Sequence, residues 1–275
     1  MMSYFSGRPL KFVEADCANY SQQMKELHRH QAYDYTQTFW QAVLNLRGQS
    51  EHTTRIEGDR IEDSDQFLQD RMDNPPMVVI FRAHEIRLNT IFCKYEQGAE
   101  LFISHGWKFP QAAPGHCMFM EAVFCGGLCC FEMTRSRNAR KKYKKHANKA
   151  LSTIQNWVRQ GNPNVRHHKA LLEAEMAVLR GRHKLAEQHY QSAISIAARG
   201  GVVHDAALAN ERYGQFLRTV LLDKEGATFQ LDRALEFYTE WGAEAKVRLM
   251  RHVHHDLLSE KAIGSTAIVP DVSVL

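Results

Sequence analysis

A pattern of small and large side chains that returns after 41 residues most constrains how this chain can fold. The pattern is small-large-small at helical spacing, and its two copies are Ala186, Tyr190 and Ala193, and then Ala227, Leu231 and Ala234. Small residues at this spacing let a second helix approach closely, while the larger residue fills the gap between successive helix pairs. The pattern therefore predicts an α-solenoid of stacked antiparallel helix pairs of the tetratricopeptide type.

The rest of the chain also follows a helical period. Apolar residues recur three or four positions apart, as at Tyr20, Met24 and Leu27. Strict alternation and two-residue hairpin turns are nearly absent, so we expect an all-α chain. A plain irregular helical bundle remains the alternative, because alanine patterns arise in any packed helix pair.

Glycine, proline and polar stretches suggest where segments end. We expect a flexible N-terminus over residues 1–9, N-terminal helical repeats over 10–160 with a polar loop at 47–76, C-terminal tetratricopeptide-like repeats over 161–260, and a flexible tail over 261–275. Near the end of the repeats, Trp241 is predicted to be a packing anchor and Gly242 to terminate a helix.

Composition excludes several classes of protein. The 275 residues are 44% hydrophobic and 24% charged, which is ordinary for a globular chain. No apolar run is long enough for a membrane span and the first residues lack a signal-peptide pattern, so we expect no membrane insertion and a cytoplasmic location. The six cysteines are few and unevenly spread, which favours reduced thiols.

Positive charge is concentrated in one stretch. Between Glu132 and Glu173 there are eleven Lys and Arg residues and no Asp or Glu. A solvated helix face is the usual meaning of such a run, and attraction of an acidic or phosphorylated partner is the functional alternative. Nucleic-acid binding is the weaker alternative, because only Tyr143 supplies an aromatic ring for base stacking within the run. The predicted acidic-partner patch consists of Arg135, Arg137, Arg140, Lys141, Lys142, Lys144, Lys145 and Lys149.

Several segments resemble one known protein region. They are Tyr33-Asp34-Tyr35, residues 41–46, Leu171-Leu172-Glu173-Ala174-Glu175, residues 186–197, residues 205–211, and Tyr238-Thr239-Glu240-Trp241-Gly242-Ala243 with Lys246. Together they are similar to the helical repeat region downstream of the ATPase module in signalling proteins that join a serine/threonine kinase, an AAA-type ATPase and a sensor histidine kinase. The resemblance implies a scaffold in signal transduction, either stand-alone or part of a larger protein.

Catalytic motifs of those signalling proteins do not occur in the sequence. There is no phosphate-binding G-x-x-x-x-G-K-[ST] loop, no glycine-rich kinase loop, no H-R-D or D-F-G, and no histidine-kinase nucleotide site. We therefore expect no enzymatic activity and no cofactor. The predicted function is a protein–protein interaction scaffold whose concave surface, built from the first helix of each pair, binds a peptide or a signalling domain.

Three groups of potential metal ligands are interpreted as structural, so the sequence predicts no metal site. Cys125, Cys129 and Cys130, with His116 and Cys117 upstream, lie in an apolar run where cysteine behaves as a small hydrophobe. A second group, at His252, His255 and Asp256, is typical of a polar helix face.

The third group is the basis of an enzymatic alternative. His167 or His168 followed by His204-Asp205 and Asp256 imitates the order of ligands in helical metal-dependent phosphohydrolases. A simpler interpretation is that Asp205 caps the helix that follows Gly201.

Overall fold

A computed structural model describes residues 6–113, 116–135 and 140–259, and the regular structure in these ranges is helical, with one isolated bridge between Gly58 and Ile61. The α-helices are α1 (Leu10–Glu26), α2 (His30–Arg47), α3 (Ser64–Gln69), α4 (Pro75–Ile91), α5 (Tyr95–His105), α6 (Phe109–Ala112), α7 (Met118–Met133), α8 (Arg140–Arg159), α9 (Arg166–Leu179), α10 (His183–Arg199), α11 (Val203–Phe216), α12 (Lys224–Trp241) and α13 (Glu244–Val253). The all-α prediction is confirmed. Residues 1–5 of the predicted N-terminus 1–9 lie outside the described residues, and so does the whole of the predicted tail 261–275.

Local sequence explains several helix ends. The side chains of Asp63, Asn74 and Asp223 accept hydrogen bonds from backbone N–H groups in the first turns of α3, α4 and α12. Gly48 and Gly242 end α2 and α12 in the left-handed conformation, with φ of 71° and 86°.

The polar stretch 47–76 is held by side chains of α2. The Asn45 amide donates to the carbonyl of Arg55 at 2.5 Å, and the Gln41 amide donates to the carbonyl of Glu57 at 3.1 Å. Ile56 in this stretch is fully buried. The predicted loop therefore contains α3 and an ordered turn packed on the helical core.

Neighbouring helices pack in pairs along the chain: α1 on α2, α4 on α5, α7 on α8, α9 on α10, and α11 on α12. Glycine lets α7 and α8 approach closely, because a Cβ on Gly127 would lie 2.7 Å from the Cβ of Ala150.

The two copies of the small-large-small pattern occupy equivalent positions. Ala186 is the fourth residue of α10 and Ala227 is the fourth residue of α12, and both are fully buried. The turns before and after these helices are also 41 residues apart: Gly181 and Leu222 have φ of 68° and 57°, and Gly201 and Gly242 have φ of 70° and 86°. The sequence period thus coincides with a structural period of one helix pair.

Helix α4 contacts α7, and the residue Cys93 after α4 reaches α11 and α13. Arg87 donates to Glu121 of α7 at 3.0 Å, and Thr90 lies 3.1 Å from the sulfur of Cys129 of α7. Cys93 is 3.6 Å from Glu211 of α11 and 3.5 Å from Lys246 of α13. These contacts connect the N-terminal helices to the C-terminal ones.

Among the described residues, no helix has both the length and the apolar character needed to cross a bilayer.

Candidate functional site

The predicted basic patch begins helix α8. The buried face of α8 includes Tyr143, Ala147, Ala150 and Ile154, at three- and four-residue spacing. On the other side Lys141, Lys144 and Lys145 are exposed. Lys141 lies in the first turn of α8, where a cation opposes the helix dipole at a cost of about 0.3–1 kcal/mol. The helix dipole therefore does not favour a lysine at this position.

Other members of the predicted patch make contacts within the chain. Lys142 bonds both carboxylate oxygens of Glu100 at 2.6 Å, and the Lys149 ammonium lies 3.9 Å from the ring centre of Trp107. Among the patch lysines, Lys141, Lys144 and Lys145 have neither an ion-pairing carboxylate nor an aromatic partner within the described residues.

Arg135 is exposed, but its guanidinium is engaged within the chain. It donates to Glu175 at 2.5 Å and also pairs with Glu132. Arg137 and the side chain of Arg140 lie outside the described residues.

A groove of about 350 Å³ lies between α8 and α10, with α9 as its floor. Its lining comprises Asn148, Leu151, Ser152, Gln155, Glu173, Met176, Ala177, Arg180, Arg182, Leu185 and His189. Lys141, Lys145, Asn148 and Ser152 follow one another at three- or four-residue spacing and so share one stripe of α8. The exposed lysines therefore continue the groove toward the start of α8.

Charge in this groove is mostly positive. Its acidic residue, Glu173, accepts from Gln155 at 2.9 Å and lies 3.2 Å from Lys169. Arg180 and Arg182 are exposed, and no carboxylate within the described ranges pairs with them. Apolar floor residues and a basic rim can bind a segment that carries apolar and acidic side chains.

Sequence reasoning missed the groove residues that come from α9 and α10. Arg180 and Arg182 flank Gly181 in the turn between α9 and α10. The available signal was the absence of acidic residues between Glu175 and Glu187, but the position of this turn beside the groove is needed to interpret it.

The structure brings together part of the predicted phosphohydrolase constellation. The Nε2 atoms of His167 and His168 lie 2.8 and 2.9 Å from the same oxygen, Oδ2 of Asp205. Burial lowers the pKa of His167 below its usual value. Burial also acts to lower the pKa of His168, but the negative charges of Asp205 and Glu121 outweigh it and raise that pKa above its usual value. All three side chains are buried.

The other predicted ligands are used differently. Asp256 lies beyond the end of α13 and pairs with Arg218 at 3.1 Å, so it does not join the histidines. The interpretation of Asp205 as the N-terminal cap of α11 is wrong. Val202 occupies the N-cap without a side-chain bond, and Asp205 turns toward His167 and His168 instead.

The remaining metal-ligand candidates are also dispersed or buried. His255 Nδ1 lies 3.1 Å from the backbone oxygen of His252. Cys125, Cys129 and Cys130 are buried in α7, and burial raises the pKa of Cys129 to about 12. Such thiols stay protonated at neutral pH.

A buried ionic network between α5, α7, α9 and α11 was not predicted. Glu175 accepts from Arg212 at 2.9 and 3.1 Å and from the Tyr190 hydroxyl at 3.0 Å. Burial favours protonation of Glu175, but Arg212 and Arg135 outweigh it and lower the pKa to about 2. Arg212 also donates to Tyr95 of α5 at 3.2 Å.

The predicted repeat-packing residues are all in the interior except for a glycine at a turn. Ala186, Tyr190, Ala193, Ala227, Leu231, Ala234 and Trp241 are at most 1% exposed. Trp241 faces the ring of His204 with centroids 4.9 Å apart.

Comparisons with known proteins add no assignment: no family model matches the sequence, and neither a curated protein nor a solved structure shows significant similarity to the chain. The function has to be inferred from the geometry of these sites.

Proposed function

We propose that this protein is a non-catalytic interaction scaffold that binds an acidic segment of a partner protein in the groove between α8 and α10. The observation that carries the proposal is the continuity of the groove with Lys141, Lys144 and Lys145, which are exposed and lack a carboxylate partner among the described residues.

The partner chemistry follows from the lining. Leu151, Met176 and Leu185 offer apolar contact, and Leu185 is 37% exposed. Arg180 and Arg182 stand on the α10 side and the lysines on the α8 side. An amphipathic helix with apolar residues on one face and Asp, Glu or phosphorylated residues at its flanks satisfies both features.

The resemblance to helical regions of kinase–ATPase–histidine kinase proteins supports a role in signal transduction. It also supports a tetratricopeptide-like arrangement, which we propose on the basis of the shared 41-residue period of sequence and turns. Phosphorylated segments are natural partners in such a setting, because arginine binds phosphate oxygens in pairs.

Nucleic acid is the competing acidic ligand. Lysines on one helix could neutralise phosphates, but base stacking needs exposed aromatic rings, and the one aromatic residue in the basic run, Tyr143, is buried with its hydroxyl bonded to Glu100 at 2.7 Å. The partner is therefore proposed to be a protein.

Fluorescence anisotropy of a labelled amphipathic peptide, with Leu on one face and Glu on the other, tests the proposal. The wild-type chain is expected to bind it, and Lys144→Glu/Lys145→Glu and Arg180→Glu/Arg182→Glu are each expected to weaken binding at least about tenfold, as loss of two close charge pairs implies. The matched control is Lys11→Glu/Lys25→Glu, which makes the same change of charge at two exposed lysines of α1, outside the groove.

Two results would contradict the proposal. One is equal binding of the peptide by wild type and both groove variants. The other is tighter binding of a short DNA duplex than of the peptide, with loss in the same variants, which would favour a phosphate-backbone contact instead.

A further inference from the structure

We propose that His167, His168 and Asp205 form a binding site for one divalent transition-metal ion, with Zn²⁺ as the best-matched ion. Among the residues that the structure describes, this is the one set of three His, Cys, Asp or Glu side chains whose ligand atoms all lie within 4.8 Å of one another. The proposal is independent of partner binding in the α8–α10 groove.

The distances suit a metal after a small adjustment. Asp205 Oδ2 lies 2.8 Å from His167 Nε2 and 2.9 Å from His168 Nε2. Two ligand atoms each about 2.1 Å from a tetrahedral zinc are about 3.4 Å apart, so each contact needs to lengthen by roughly half an ångström.

The fold already orients the rings. Residues 167 and 168 are consecutive in α9, where neighbouring side chains diverge by about 100°, yet both rings point at one oxygen of α11. The His168 ring stacks on Phe124 with centroids 3.9 Å apart and planes 12° from parallel. Rotamers that packing fixes in this way lower the entropy lost on binding an ion.

Charge at the site also favours a cation. Asp205 and Glu121 are both 6% exposed, and Glu121 Oε1 is 3.9 Å from His168 Nε2. Arg87 pairs with Glu121 at 3.0 Å and balances one of these two carboxylates. A bound divalent ion would offset the other and use Glu121 as a fourth ligand or as an acceptor for metal-bound water.

A cavity gives the ion an entry path. Its volume is about 370 Å³, and its lining includes Glu121, His167 and His168 together with the half-buried Cys117. Two imidazole nitrogens and a carboxylate oxygen are ligands that Zn²⁺ accepts, whereas Mg²⁺ and Ca²⁺ prefer all-oxygen sites. The remaining position would face the cavity.

The test uses the full chain after dialysis against a chelator. Isothermal titration with ZnCl₂ is expected to show one equivalent bound per chain. Titration with CoCl₂ is expected to give visible d–d bands of a four- or five-coordinate nitrogen–oxygen site, without a thiolate charge-transfer band in the near ultraviolet. In wild type, addition of Zn²⁺ is expected to shift the Nε2 signals of His167 and His168 in ¹H–¹⁵N spectra.

Variants locate the ion. His167→Gln and Asp205→Asn are expected to reduce zinc affinity at least about tenfold, whereas the control His252→Gln/His255→Gln on the surface should bind as wild type does. Absence of stoichiometric uptake by wild type would overturn the proposal, as would uptake that persists in His167→Gln or a charge-transfer band that disappears in Cys117→Ser. The wild-type spectra decide the matter even if a buried variant fails to fold.

Discussion

Arg212 donates to both carboxylate oxygens of Glu175, from Nε at 2.9 Å and from Nη2 at 3.1 Å. The two residues belong to α11 and α9, and their side chains are 4% and 0% exposed. Because Arg212 also reaches Glu132 of α7 and Tyr95 of α5, this pair connects four helices.

Removing the cation of this pair is expected to destabilise the protein strongly. In Arg212→Met the Glu175 carboxylate stays buried with less compensation, and a broken buried pair reduces the free energy of unfolding by about 3–5 kcal/mol. Chemical denaturation followed by circular dichroism measures the change. The matched control is Arg233→Met, whose exposed partner Glu236 makes a surface pair, and its effect should stay below about 1 kcal/mol.

The double variant Glu175→Gln/Arg212→Met tests the cause. If the loss in the single variant comes from an uncompensated charge, the double variant will be destabilised less than the sum of the single effects. Strict additivity would show instead that the two side chains stabilise the fold independently.

Acid is expected to weaken the same network. The pKa of Glu175 is held at about 2, below its usual value of 4.5, so its contribution to stability is present above pH 4.5 and is lost as the pH falls from 4.5 toward 2. The loss should be on the order of a few kcal/mol. Urea denaturation at pH 6 and pH 3 measures it, and Glu175→Gln should show a smaller change between these two pH values than wild type does.

Sequence alone predicted the helices and the period that relates them, since both are local. Ala186 and Ala227 could be matched because small residues at helical spacing identify a close helix contact without knowledge of the partner helix. The turns followed the same period, including Leu222, whose positive φ occupies the place that Gly181 has one unit earlier.

Contacts between distant segments could not be predicted in this way. Arg212 and Tyr95 are separated by 117 residues, and nothing in either local sequence indicates the other. The burial of α4 had a weak signal, because residues 77–81 are apolar without interruption and such a run is typical of a helix buried on several sides. Deciding which helices it packs against requires the tertiary structure.

Binding in the α8–α10 groove is expected to depend on salt. The lysines and Arg180 are exposed, so their attraction for an acidic peptide is screened as ionic strength rises. Raising NaCl from about 50 to 500 mM should weaken peptide binding by wild type more than by Lys144→Glu/Lys145→Glu, as anisotropy titrations at each salt concentration would show. An affinity independent of salt would indicate that the apolar floor alone binds the peptide.

The close helix approach at the repeated alanines predicts matched effects of enlarging them. Ala186→Leu and Ala227→Leu each introduce a branched side chain where the alanine is fully buried at the fourth position of its helix. Overpacking of this kind lowers the free energy of unfolding by about 1–3 kcal/mol. Ala198→Leu is the control, since Ala198 lies in α10 but is exposed, and its effect should be near zero. Thermal and urea denaturation of the three variants measure these differences. Two similar losses would show that α10 and α12 use one packing arrangement, whereas a large loss at one alanine and none at the other would contradict the structural repeat.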